Sequence, residues 1–153
     1  MGCYNTIIPT DVVAIGELSF FGMKNLTEIV IPSSVTTIGS EAFWACSGLV
    51  NITLSAQLIS IGASAFKNCN ALESITIPSQ VTSIGAHAFS GAKKLLSDNG
   101  GSGITFEDTS TWERSVNEFF TVSVAEVDVT SASQNAIWLV GTEHYYNYYW
   151  RKV

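Results

Sequence analysis

Apolar and polar positions along the first two-thirds of the chain recur with a single period. Ile15-Gly16, Ile38-Gly39, Ile61-Gly62 and Ile84-Gly85 stand 23 residues apart, and Leu26, Leu49, Leu72 and Leu95 keep the same step. A repeat in the twenties predicts a solenoid, in which each unit is one coil that buries its apolar face only against its neighbours. In residues 26–48, Leu26, Ile29 and Ile31 supply apolar side chains, the last two on one face of a short strand. Pro32 ends the strand, because it has no N–H to give to a ladder. Val35 and Ile38 return inside, and Gly39 is expected to provide a tight corner or a positive φ. Ala42, Phe43 and Cys46 fill the centre before Ser47-Gly48 turns into Leu49. Repeated along the chain, the pattern assigns Phe20, Phe43, Phe66 and Phe89, with Cys46 and Cys69, to the core. An incomplete copy at residues 6–16 precedes the full coils. All three prolines occupy one repeat position, with Ser55 as its exception.

Residues alternating with the core positions of each strand are expected to face outward. One such column is Glu28, Asn51 and Ser74, and the next is Val30, Thr53 and Thr76. These six are the candidate protein-binding face, since solenoids use such surfaces for recognition. As plain solvated strand residues, their Thr and Val would serve β propensity alone. The columns are small and polar and lack the Trp, Tyr or Arg anchors of tight interfaces, so weak or avid contact is expected.

The rhythm breaks after Leu95. This divides the chain into a solenoid over 1–95, a flexible turn-rich loop over 96–103 and a C-terminal capping module over 104–153. Ile104-Thr105-Phe106 is read as the last rung of the parallel sheet. Val122, Val124, Val127 and Val129 alternate as in a hairpin or two short strands. Ser131 or Ser133 is placed to cap one short helix over 135–140, stopped by Gly141, and the chain ends in a strand, Tyr145 to Lys152. Strand alternation sets Tyr146, Tyr148 and Trp150 on one side and Tyr145 and Tyr149 on the other. The first set is a candidate aromatic platform for sugar rings or a protein hot spot. The bland reading is that the module simply covers the core of the last coil.

Composition and charge narrow the functional classes. At 46% apolar and 13% charged residues, the chain has the means to build a core. The formal charge of −6 lies mostly in the C-terminal part: residues 1–95 hold five acids against four lysines, and residues 96–153 hold eight acids against three bases. Lys and Arg nowhere cluster in sequence, so nucleic acid is not an expected partner. No apolar run is long enough to span a bilayer, so direct membrane insertion is not expected. No basic-then-apolar leader opens the chain; the expectation is that a signal peptide was removed or lies outside it. Cys46 and Cys69 share their column with Met23 and Ala92, which marks them as buried free thiols rather than a disulfide or metal site. Neither His87 nor His144 sits in a nucleophile–base arrangement, no phosphate-binding Gly loop, HExxH or CxxC occurs, and the acids Glu107, Asp108, Glu113 and Glu118 fit no calcium loop. The chain is therefore expected not to be an enzyme and to need no metal or cofactor.

The phrases Ile-Val-Ile-Pro-Ser-Ser-Val-Thr-Thr-Ile-Gly-Ser-Glu-Ala-Phe and Ile-Thr-Ile-Pro-Ser-Gln-Val-Thr-Ser-Ile-Gly-Ala-His-Ala-Phe resemble the BspA-type leucine-rich repeats of bacterial surface proteins. That resemblance covers residues 6–95. A looser one, on Ile104-Thr105-Phe106-Glu107, Trp112, Asn135-Ala136, Leu139 and Tyr148-Tyr149-Trp150-Arg151, covers residues 104–151 and resembles the terminal module of such proteins. This looser resemblance implies the expectation that Val153 lies near the natural C-terminus. Together they imply a mainly β, right-handed leucine-rich-repeat solenoid with a parallel sheet on one face and short extended or 3₁₀ segments on the other, capped by a small β-rich module. They also imply a non-enzymatic, extracellular or cell-surface module that adheres to host matrix-type proteins or neighbouring cells. The alternatives are carbohydrate binding through the C-terminal aromatics and a purely structural spacer or cap. The N-terminal edge has no polar cap, so it is expected to stack on further repeats or on another copy of the chain.

Overall fold

The computed structural model describes residues 6–96, 99–115, 125–127, 129–131, 135, 139, 140 and 149–153. In chain order its strands are β1 (Ala14–Ile15), β2 (Glu28–Val30), β3 (Thr37–Ile38), β4 (Asn51–Thr53), β5 (Ser60–Ile61), β6 (Ser74–Ile77), β7 (Ser83–Ile84), β8 (Gly103–Phe106), β9 (Trp112–Ser115), β10 (Ala125–Val127) and β11 (Tyr149–Lys152). The chain is mainly β, and its repeats pair in parallel. Ala14 lies opposite Thr37, Thr37 opposite Ser60, and Ser60 opposite Ser83, a step of 23 residues per rung. On another side of each repeat, β2 pairs with β4 and β6 with β8, again in parallel. One repeat therefore contributes two short strands. The inward Ile15, Ile38, Ile61 and Ile84 are all buried.

A third set of inter-repeat hydrogen bonds joins segments that are turns rather than strands. The N–H groups of Phe20, Phe43 and Phe66 donate to the carbonyls of Ala42, Ala65 and Ala88 at 2.7–2.8 Å. Between them run tight i to i+3 turns, such as Trp44 N–H to Glu41 O and Cys46 N–H to Phe43 O. This alternation requires left-handed backbone at two repeat positions. Leu18, Glu41, Ser64 and His87 occupy one (φ 55–60°), and Gly22, Ala45, Asn68 and Gly91 the other (φ 60–76°). Of the tight corner or positive φ expected at the glycines of the Ile-Gly pairs, the positive φ is not found at Gly16, Gly39, Gly62 or Gly85. A Cβ on Gly62 would lie 2.5 Å from Gly39 C and Ser40 N, and one on Gly85 would lie 2.4 Å from Ala63 N. These glycines are needed because successive repeats touch backbone to backbone there.

The core is a stack of phenylalanines. Phe43 and Phe66 lie 5.3 Å apart and 7° from parallel, and Phe66 and Phe89 are 5.3 Å apart at 10°. Phe20 continues the stack at 4.8 Å from Phe43, but it is only partly buried, and among the described residues no ring covers its other face. Ser55 shows why the proline position tolerates an exception. Pro9, Pro32, Pro78 and Ser55 all accept an i to i+3 turn bond at their carbonyls, and the buried Ser55 hydroxyl also accepts Gln57 N–H at 3.1 Å.

The described C-terminal strands extend the sheet. β11 pairs antiparallel with β7 on one side and with β9 on the other, and β10 follows β9. Trp150 lies opposite Ile84, is 1% exposed, and packs on Phe106, which meets Trp112 edge-on at 5.0 Å. The candidate aromatic platform is thereby corrected at Trp150, whose indole closes the core and offers no face to solvent. Tyr146 and Tyr148 lie outside the described residues, as do Val122 and Val124. Asn135, Leu139 and Val140 are helical. The Asn135 amide donates to Ile104 O and Val129 O, both at 2.9 Å, and Val140 O accepts Gly91 N–H at 3.3 Å. These groups satisfy ladder positions that a further repeat would otherwise occupy.

Candidate functional site

Among the described residues, three surfaces of the repeat region carry exposed or partly exposed side chains placed to meet a partner. The first is the outward face of β2, β4 and β6. Glu28, Val30, Asn51, Thr53, Ser74 and Thr76 are all exposed, while the intervening Ile29 and Ile75 are buried and Ile52 is partly so. Register places Glu28 beside Asn51 and Val30 beside Thr53. β8 extends the two columns with Gly103 and Thr105, opposite Ser74 and Thr76. The face is thus a row of mostly polar side chains, interrupted by the apolar Val30 and ending, toward the N-terminus, in an apolar groove of about 390 Å³ lined by Ile7, Ile8, Val30 and Pro32.

The second surface was not legible as a site in the sequence. Phe21 and Trp44 meet edge-on at 5.4 Å on the turn side, and the Lys67 ammonium sits 5.2 Å from the Trp44 ring centre. Phe21 is half exposed. Both aromatics stand one residue after the core phenylalanine, and that fixed offset is the signal that marks them.

The third is a polar groove along the corner where the turn side leads back to the strand face. It measures about 530 Å³ and is lined by Lys24, Ser47, Asn70 and Lys93 of one column, with Ala45, Asn68 and Gly91 of the left-handed column beside them.

The chemistry of the titratable groups runs toward structure. Cys46 and Cys69 are free and buried, and their thiols donate to Phe20 O at 2.9 Å and Phe43 O at 3.2 Å. Burial pushes the Cys46 thiol up to about 11, and that of Cys69 well above its ordinary value. Neither serves as a nucleophile in that state. Partial burial and then the neighbouring Lys67 charge hold His87 below the usual histidine value. The acids named above make structural bonds: Glu113 pairs with Arg151 at 2.7 Å, Asp108 with Lys152 and Ser110, and Glu107 accepts Ser79 N–H at 3.0 Å. Hydrogen bonds from Lys152 and Ser110 hold the Asp108 carboxyl well below the usual range. Glu118 lies outside the described residues. Among the described residues, no three of His, Cys, Asp and Glu converge as a metal site, and no helix is long and apolar enough to cross a membrane.

Parallel rungs in register over a phenylalanine stack, with an open polar strand face, define a leucine-rich repeat protein. The profile of the BspA type leucine-rich repeat region matches residues 2–117 in six copies, and the chain belongs to that family. Two solved structures are similar. One is a leucine-rich repeat protein of T. pallidum (31% identity, TM-score 0.59, covering 61% of this chain and 46% of that one). The other is a leucine-rich repeat protein of Bacteroides capillosus (37% identity, TM-score 0.50, covering 53% and 65%). The chain therefore spans about half to two-thirds of the length of these relatives. No curated protein matches it. Leucine-rich repeat proteins of this kind are in general protein-interaction modules.

Proposed function

We propose that the chain is a non-enzymatic interaction module of the extracellular space or cell surface, adhering to matrix-type host proteins or neighbouring cells through the outward face of β2, β4 and β6. The observation that carries this reading is the exposure of Glu28, Val30, Asn51, Thr53, Ser74 and Thr76, with β2 paired in parallel register with β4 and β6 with β8. Small polar side chains on a rigid sheet lose little side-chain entropy on contact, so each rung adds a modest gain that multiplies over a longer solenoid or several copies. The surface location rests on the family, whose repeats characterise bacterial surface proteins.

The same proposal takes the winding to be right-handed with 23-residue coils, and residues 104–153 to be the module that ends it. It also takes the N-terminal edge, where Ile7 and Val13 are exposed, to stack on further coils or on a second copy.

The test is binding of the full chain to a panel of immobilised matrix proteins and to a glycan array from one preparation. Saturable binding to a matrix protein supports the reading. Binding to glycans alone, or silence on both surfaces, overturns it, and silence would leave a spacer.

A further inference from the structure

The polar groove along the Lys24 column stands apart from the strand face and has its own chemistry. Lys24, Ser47, Asn70 and Lys93 are successive members of one repeat position, so a single line of side chains crosses four repeats. In a chain with 13 acids and seven basic side chains, two lysines line this groove and, among the described residues, no carboxylate does. Among the described residues, the side chains of Lys24, Asn68, Asn70 and Lys93 have no hydrogen-bond or ion-pair partner. Lys24, Asn70 and Lys93 are exposed. Asn68 leans across the next repeat: a Cβ on Gly91 would lie 2.2 Å from its Oδ1, so the glycine leaves room for that carboxamide within the groove. The groove thus has a cation at each end and unspent amide donors and acceptors between them.

Spacing selects the ligand. Rings of the same repeats stack 4.8–5.3 Å apart, so three steps separate Lys24 from Lys93 by about 15 Å. That is too far for both ammonium groups to converge on one small anion. An extended peptide rises about 3.3 Å per residue, so carboxylates four residues apart, on flexible side chains, reach both lysines. The carboxamides of Asn68 and Asn70 and the Ser47 hydroxyl donate and accept, as peptide N–H and C=O groups require. Among the described residues, no aromatic ring lines the groove to stack on a sugar.

We propose that this groove is a second binding site, for an acidic peptide segment lying extended across the repeats with carboxylates four residues apart, one on each lysine.

The test is fluorescence polarisation of the full chain at low ionic strength with the capped peptide Glu-Ser-Ser-Ser-Glu. Three further probes accompany it: the capped isomer Glu-Glu-Ser-Ser-Ser, the Gln-for-Glu peptide and a sulfated oligosaccharide. The expected result is that Glu-Ser-Ser-Ser-Glu binds most tightly. Lys24→Gln and Lys93→Gln should each weaken it about two- to fivefold and compound in the double variant, and salt should weaken the wild type more than the double variant. Both lysines are exposed, so circular dichroism and melting of the variants should match wild type. Equal binding of the two Glu isomers, indifference to both substitutions, or binding of the sulfated oligosaccharide in place of the peptide would overturn the proposal.

Discussion

The backbone of Trp150 lies opposite that of Ile84, and its indole is buried with the ring centre 6.4 Å from that of Phe106. An antiparallel strand has thereby been laid on the last rung of a parallel ladder. The aromatic tail, chemically the most distinctive stretch of the sequence, is interior at this residue. Trp150→Ala should therefore cost on the order of 3–5 kcal/mol in urea unfolding. A loss below about 1 kcal/mol would mean the tail does not close the core.

The phenylalanine stack grades its members by cover. Phe66 has a parallel ring 5.3 Å away on each side, whereas among the described residues Phe20 has a ring on one side only. Phe66→Ala should cost about 3–5 kcal/mol and Phe20→Ala clearly less. Equal costs in parallel denaturant titrations would contradict this account of the stack.

Gly62→Ala forces a Cβ to within 2.5 Å of the Gly39 and Ser40 backbone, while Gly16→Ala meets only Ser19 Oγ at 3.2 Å. The first should destabilise by about 1–3 kcal/mol or more, and the second by less than about 0.5 kcal/mol. Thermal melts of the two variants decide whether the glycines serve inter-repeat contact or local turning.

The buried thiols make an alkaline prediction. In the folded chain Cys46 titrates near 11, above its unfolded value, so folding favours the protonated form. Stability should hold below about pH 8.5 and fall as pH rises toward 11, because the unfolded chain loses that proton first. Cys46→Ala/Cys69→Ala should flatten this limb of the pH–stability curve while lowering stability at pH 7. An unchanged alkaline slope would contradict the assignment.

The repeat made most of the fold readable. A column that is always Ile, Phe or Leu has one physical meaning, and those positions pack in the core, fully buried except at Phe20 and Ile52. What stayed hidden is what a column cannot encode by composition. Leu18, Glu41, Ser64 and His87 share a left-handed backbone while having no chemistry in common, because hydrogen bonds between repeats impose that conformation and Cβ sterics alone do not. Glycine at the Ile-Gly position was legible as a constraint, though its cause, contact with the next repeat, exists only after stacking. Lys24 and Lys93 are 69 residues apart, so no local scan for charge clusters joins them. The burial of Trp150 was obscured for a related reason: alternation assigns two sides to a strand without saying which neighbour covers each.

The most direct test of the central claim, that the strand face makes the contact, is the affinity of the Asn51→Arg/Thr53→Arg variant for the matrix protein bound by wild type. Both residues are exposed at the middle of the face, so the fold should survive. Two long charged side chains would stand in the way of a flush partner. The account predicts at least about a tenfold loss, on the order of 1.4 kcal/mol, with an unchanged melting curve. Undiminished binding by that variant would contradict it.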